Sequence, residues 1–574
     1  TYTFNDDGTL KEVTDPKGIV TRTEYDALGR RTKVIANYTD GTPGGGTYGD
    51  EDQTVSYAYT DGLQVTITAD LPSGETDQVT TYTWGVDKGT SAGDSKVARG
   101  DLIELVAYPD STGATDVVSF AYNAQGQQVW KKDQAGNVIE TDFDTAGRET
   151  HRRVTTLDGD FDGAVRRISR TYNSRGQLEL VTQYDNATVG SGSVVDEVKY
   201  GHEGWGLLSS FEQDRNSAVG ASGSVDDYEV SYAWAKATAG RNTLRRTSLT
   251  LPSGNAIAYS YSSRSGLHDL DASRVTQLTE SGTALVTYWY NGLDTVVGTI
   301  LDEPDVMSRQ YGSTSGSFPD LDRFNRVITS EWTRDAGTAT TFYQVDLGYD
   351  RNSNIVSAQD QVHSGFDVLY TNDDLNRLVR AEEGTLSGGS ITSRTRDQQW
   401  TLTQVGNWDV DKVDLNGDGD FTDTDELYDA RTHNDVNELN ARDINNDSTN
   451  EYTLSYDEAG NLTDDGESYT YEWDAFYRLR KITDRSTSDL VAEYKYNGLG
   501  YRISIHEDTD DDGDVDASDK WFHHAFDERW RWVATFREDD TDPKEEFLHH
   551  AAGLDGRGTG SYIDLVVLRD RDIN

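Results

Sequence analysis

Cysteine is absent from the 574 residues, so the chain has no disulfide framework, no thiolate nucleophile and no thiolate metal site. That absence suits bacterial export. Proline is scarce, at 8 residues, and methionine occurs once. Basic side chains are also few: 52 Lys and Arg stand against 102 Asp and Glu, a formal charge of -50. Such a surface repels nucleic-acid phosphates and anionic lipid headgroups, which sets both aside as partners. It suits a soluble protein in a salty or calcium-containing medium, where counterions screen the self-repulsion. There is no apolar run of about 18 residues and no charged-then-apolar leader, so no segment is expected to span a membrane or direct secretion.

Hydrophobic residues make up only 34%, yet aromatics reach 10%, with 32 Tyr and 12 Trp, enough to bury a substantial aromatic surface. Glycine is abundant, at 54 residues, and Thr, Val and Tyr recur in short runs. This balance favours strands and tight turns over helices. The length would allow several domains, unless repeats make the chain one continuous object.

One phrase does repeat: an aromatic residue, Asp or Asn, two variable residues, Gly or Asn, Arg or a polar residue, then an aliphatic. It is clearest at Tyr25-Asp26-Ala27-Leu28-Gly29-Arg30, Phe143-Asp144-Thr145-Ala146-Gly147-Arg148 and Tyr172-Asn173-Ser174-Arg175-Gly176-Gln177. Further copies begin at Tyr122, Tyr349, Tyr456, Trp473 and Tyr496. Asp or Asn caps a turn by accepting from backbone amides two residues on, and Gly supplies the positive φ that closes a bulged hairpin. On the flanks, Leu490, Ala492, Tyr494 and Tyr496 alternate with Glu493, Lys495 and Asn497, and Tyr501, Ile503 and Ile505 alternate with Arg502, Ser504 and His506. Period two means half-buried strands. One hairpin cannot bury its apolar face alone, so successive hairpins must pair into a twisted sheet. The expected fold is all-β, with hairpins forming one long coiled antiparallel sheet over residues 1–574 as a single segment.

The phrase resembles the YD repeats of RHS proteins, of the cocoon subunits of Tc toxins and of teneurins. The resemblance implies a hollow shell or tube. In the family such a shell often encloses a toxic C-terminal polypeptide, and in teneurins it serves adhesion. Ser561 to Asp570 looks like the entry to an RHS-associated core, placed at about 545–574. The chain is expected to be part of a longer polypeptide, located outside the cell or on its surface. Its partners would be its own C-terminal polypeptide or copies of itself, in a container or in an adhesive or filament-forming scaffold.

Polar segments at 41–54, 86–100, 186–196 and 216–227 interrupt the rhythm as surface loops, and the interval 398–450 is the largest and most acidic interruption. Two stretches have calcium-loop spacing, in which oxygens at alternate positions converge on one ion, Gly turns the chain and a twelfth-position acid closes the shell. One comprises Asp414, Asn416, Asp418, Asp420 and Asp425, and the other Asp508, Asp510, Asp512, Asp514 and Asp519. Phe421 and Val515 hold the apolar eighth position. Calcium is the expected cofactor. Asp158, Asp160, Asp162 and Gly163 start a similar loop without a twelfth acid, and Asp443, Asn445 and Asp447 lack the Gly.

Enzymatic chemistry finds no support. His523-His524 and His549-His550 are adjacent in strands, so each pair offers at most one inward ligand, short of a zinc site. Gly89-Thr90-Ser91-Ala92-Gly93 matches a hydrolase elbow but sits in a polar loop without a following helix. No catalytic residue is expected.

Overall fold

A computed structural model describes residues 1–91, 93–113, 116–221, 226–237, 243–262, 268–293, 295–302, 307–311, 318–335, 339–421, 423–424, 426–510, 512–554 and 566–571. Among these, the one helix is the four-residue segment His268–Asp271. The rest is strand and turn. Thirty-three strands, from Tyr2–Phe4 to Tyr452–Thr453, form one antiparallel sheet that is not a closed barrel. Ten strands from Ser455–Tyr456 onward form a second sheet, which Phe161–Asp162 joins as the eleventh by parallel pairing with Trp473 and Asp474. The expected long sheet is therefore present, but it breaks at Leu454, whose amide bonds back to Asn440 while Ser455 pairs with Asp464. The acidic interval 398–450 is not a gap in the sheet. Strands Trp408–Asp414, Leu427–His433 and Leu439–Asp443 continue it, and the acids cluster in the turns between them.

The repeated phrase builds the expected turn and adds a clamp. At the first copy Asp26 Oδ1 accepts from the amides of Leu28 and Arg30, Gly29 takes φ +75°, and the Arg30 guanidinium returns to Asp26 Oδ2 at 2.7 Å. The register shifts between Glu24 and Tyr25, the mark of a bulge. The same clamp recurs from Arg148 to Asp144, Arg326 to Asp322, Arg377 to Asp373, Arg478 to Asp474 and Arg531 to Asp527. Asp373 is almost fully buried, accepting from Leu375 N at 3.0 Å, Arg377 N at 2.8 Å and Arg377 Nε at 2.6 Å. Asp373→Ala is expected to cost about 2 kcal/mol, since charged hydrogen bonds are lost and Arg377 keeps no partner in the turn. Asp373→Asn keeps the caps and should cost less than half of that in urea titrations. Equal losses would show that the clamp, and not the cap, holds the turn.

Contacts divide the chain into two compact units, Thr1–Ile139 with Val345–Tyr469 and Glu140–Gln344 with Thr470–Asn574. The first buries aspartates about as often as apolar side chains, and these carboxylates are engaged. Asp397 receives Arg380 Nε at 2.9 Å and Nη2 at 2.6 Å, and Asp429 receives Arg431 at 2.7 Å and Arg442 at 3.2 Å. Burial alone would raise Asp397, but the Arg380 guanidinium holds it below the usual carboxylate range.

The second unit has an apolar core. Val181 faces Val198, Phe211 faces Val230, Tyr232 faces Leu249, which faces Ile257, and Leu278 faces Val286 across successive strands. The C-terminal strands cover this face with Ala525, Val533, Phe536 and Leu548. Tyr228 stacks on Phe536 at 4.3 Å. The Gln213 side chain binds the covering strand as a backbone would, donating to His524 O at 2.7 Å and accepting from Phe526 N at 3.2 Å.

That cover changes the reading of the histidines. All four are buried, because their strands are packed on both faces. His523 Nδ1 meets Ser504 Oγ at 2.9 Å, His524 packs edge-on against Trp532, His549 Nε2 meets Trp532 O at 2.7 Å, and His550 lies against Tyr288. Ser504, expected on a solvent face, is buried for the same reason. Ala92 of the elbow-like motif lies outside the described residues, as do residues 555–565 and 572–574 of the expected core entry. Within that entry Glu545–His549 and Val566–Arg571 pair antiparallel.

Candidate metal centre

The loop after strand Arg502–Glu507 gathers carboxylates. One oxygen from each of Asp508, Asp510 and Asp519 lies within 4.8 Å of the others, a spacing that fits calcium–oxygen distances of about 2.4 Å around one ion. The backbone is folded by the same acids. Asp508 Oδ2 accepts from Gly513 N at 3.0 Å, and Asp519 reaches back to Thr509 N at 2.7 Å and to Asp516 N at 2.8 Å. These amides hold the Asp519 carboxyl below its ordinary range. Val515, at the apolar eighth position, is buried and its amide bonds to Leu490 O at 2.7 Å. Asp512 and Asp514 stand outside the converging trio. Asp514 is pushed up by desolvation and by Asp512 beside it.

The loop at 414 is organised alike but draws its oxygens inward. Asp414 is fully buried and accepts from Asn416 N at 3.1 Å, Gly417 N at 2.5 Å and Gly419 N at 2.8 Å. Gly417, at φ +81°, is required on two counts, since a Cβ there would come 2.3 Å from Arg394 O. Asn416 Oδ1 caps Asp418 N at 2.9 Å and Asp418 Oδ1 caps Asp420 N at 2.8 Å. Asp425, the expected closing acid, lies outside the described residues. Its neighbour Glu426 makes the return contacts, to Leu415 N at 3.1 Å and Asp423 N at 3.3 Å.

A third loop, which lacks the template's glycine, has the same design. Asp443 Oδ2 accepts from Ser448 N at 2.8 Å, with Ser448 itself at φ +70°, and Glu451 returns to Ile444 N at 2.8 Å. Asp443, Asp447 and Glu451 converge within the same 4.8 Å. Its closing acid comes at the ninth position, so a twelve-residue template could not find it. The Asp158 segment goes another way: Asp162 belongs to a strand and lies 3.4 Å from Arg480. Three convergent carboxylates could hold a hard divalent cation, whose shell of six to eight oxygens backbone carbonyls and water would complete.

Residues 4–43 match the RHS repeat family model. No curated protein matches the sequence. Among solved structures, the TcdB2-TccC3-TEV crystal structure aligns with 95% of this chain and 27% of its own, at 11% identity and a TM-score of 0.53. A Photorhabdus luminescens Tc holotoxin pore aligns with 96% of this chain and 30% of its own, also at 11% and 0.53. The chain thus spans less than a third of the length of those it matches, and at such identity the likeness is one of fold. An RHS repeat is thus matched near the start of the chain, and the fold of these toxin structures runs along nearly all of its length.

Proposed function

We propose that this chain is a wall segment of an extracellular container or surface scaffold, with calcium stiffening its acidic turns and with no catalytic role of its own. The observation that carries this reading is the clamped hairpin repeated along the sequence, most strands pairing with their sequence neighbours, in a fold shared with toxin assemblies containing TcdB2 and TccC3. A wall of this kind needs no second chain to form. Its cargo would be its own C-terminal polypeptide. Apolar side chains at turn tips, among them Trp205, Phe324 and Trp530, favour a second reading in which copies of the chain associate through their rims.

The test is to express the natural full-length product and the 1–574 segment separately and image both by electron microscopy. Hollow particles, with a downstream segment protected from protease, support the container. Filaments or clustered particles support the scaffold. Solid particles with no assembly, or turnover of a substrate by the segment alone, would sink both.

Calcium is tested on its own. At a free concentration a hundredfold above Kd, binding to the native loop alone should stabilise by about 3 kcal/mol. Asp510→Asn and Asp519→Asn should each abolish the part owed to the 508–519 loop. Identical melting temperatures in calcium and in chelator would reduce these loops to ordinary turns.

A further inference from the structure

The second unit contains a cavity of about 350 Å³, lined from both of its sheets, within the size range of small-ligand sites. Asp196, on strand Val194–His202, lines it and is 1% exposed. Neither of its carboxylate oxygens meets a donor in hydrogen-bonding geometry; Arg478 and the Gly498 amide bias it electrostatically without reaching that geometry. Burial pushes this carboxyl well above its usual range. A buried acceptor left unmet costs about 1–3 kcal/mol, more when charged, so the site calls for an occupant that donates.

The other charges on the wall are largely committed to one another. Asp474 takes Arg478 at 2.7 Å, Asp162 faces Arg480 at 3.4 Å, and Arg215 is held by Asp226 and by Asp539 at 2.9 Å. Lys495 is different. Its ammonium lies over the Trp521 ring at 4.2 Å and, among the described residues, forms no ion pair with a carboxylate. One buried acceptor and one exposed ammonium are therefore left over around the same space, beside Arg215 Nε, a donor that is also buried without a hydrogen-bond partner.

We propose that this cavity binds a small zwitterion of amino-acid or short-peptide type, its ammonium on Asp196 and its acidic group toward Lys495. A bare cation is disfavoured by the four cationic side chains Arg215, Arg478, Arg480 and Lys495. A simple anion would bring no strong donor to Asp196 and would face its charge when ionised. A molecule carrying both signs matches both leftovers, and Tyr494 and Tyr496 flank it with apolar surface.

The probe is glycylglycine, titrated calorimetrically into the 574-residue chain. Glycine betaine, which has no N–H to donate, and inorganic phosphate serve as controls. Saturable one-to-one binding of glycylglycine is expected, at least tenfold weaker in Asp196→Asn and in Lys495→Met, with betaine and phosphate at least tenfold weaker on the native chain. Lys495 is exposed, so its variant should fold even if the Asp196 variant does not. No saturable heat, binding unchanged in Lys495→Met, or phosphate binding as tightly as glycylglycine would each overturn the proposal.

Discussion

Moving from pH 7.5 to pH 5 should lower the urea midpoint of the second unit by an amount worth several kcal/mol. Burial depresses His523 to about 3, and His524 and His550 to about 4, against an ordinary value near 6.5. The charges next to them make protonation harder still: Arg215 and Lys495 beside His523, Arg502 beside His524, Arg309 and Arg531 beside His550. A group depressed on folding contributes stability above its unfolded pKa. That contribution is lost as pH falls from about 6.5 toward 4, because the unfolded chain takes up protons that the native layer refuses. At pH 5 each histidine accounts for about 2 kcal/mol. Asp196 and Asp227, both raised on folding, work in the opposite sense and offset part of the loss. The check is a pair of urea titrations on the native chain and on His523→Gln with His524→Gln and His550→Gln. The triple variant starts weaker at pH 7.5 but should lose no stability on going to pH 5, and gain what Asp196 and Asp227 contribute. An equal pH 5 penalty in both chains would rule the histidines out as its source.

Phe211→Ala should cost about 4 kcal/mol, the usual range for an aromatic removed from a tight core. Phe211 has no exposed surface, meets Tyr200 edge-on at 5.2 Å and faces Val230 on the next strand. Phe211→Leu, which refills most of the volume, should cost about 1–2 kcal/mol. A loss below about 1 kcal/mol for the alanine variant would mean that the covering strands do not press on this face.

The turns were the most legible feature, because Asp or Asn followed three residues later by Gly is a local instruction that needs no knowledge of the rest of the chain. Its limit appears at Tyr477 and Trp530, which take φ +62° and +65° where glycine was the expected residue. Bulky side chains hold that conformation because tertiary contacts secure them, Tyr477 against Phe161 and Trp530 against Tyr501. The arginine of the phrase was visible, but its role was not. Calcium-loop spacing pointed to Asp508, Asp510, Asp512, Asp514 and Asp519, of which Asp508, Asp510 and Asp519 converge, and the closing acids Glu426 and Glu451 fall off the template. Which loop atoms return to the backbone depends on the turn, not on the count. Burial of both members of each histidine pair was illegible for a different reason: the strands that cover them are recruited from far along the sequence.

That distance bears on how the chain comes to be folded. Most strands pair with a neighbour only a short turn away, so hairpins can form locally and early, in whatever order they emerge during synthesis. The apolar face running from Val181 to Tyr288 is completed differently, by strands such as Lys520–Phe526, and the Gln213–His524 contact closes a separation of 311 residues. Until those last strands arrive, a broad greasy surface stands open on an otherwise finished sheet. The nascent chain is therefore exposed to misassociation late in its synthesis, until a separation of 311 residues has been closed.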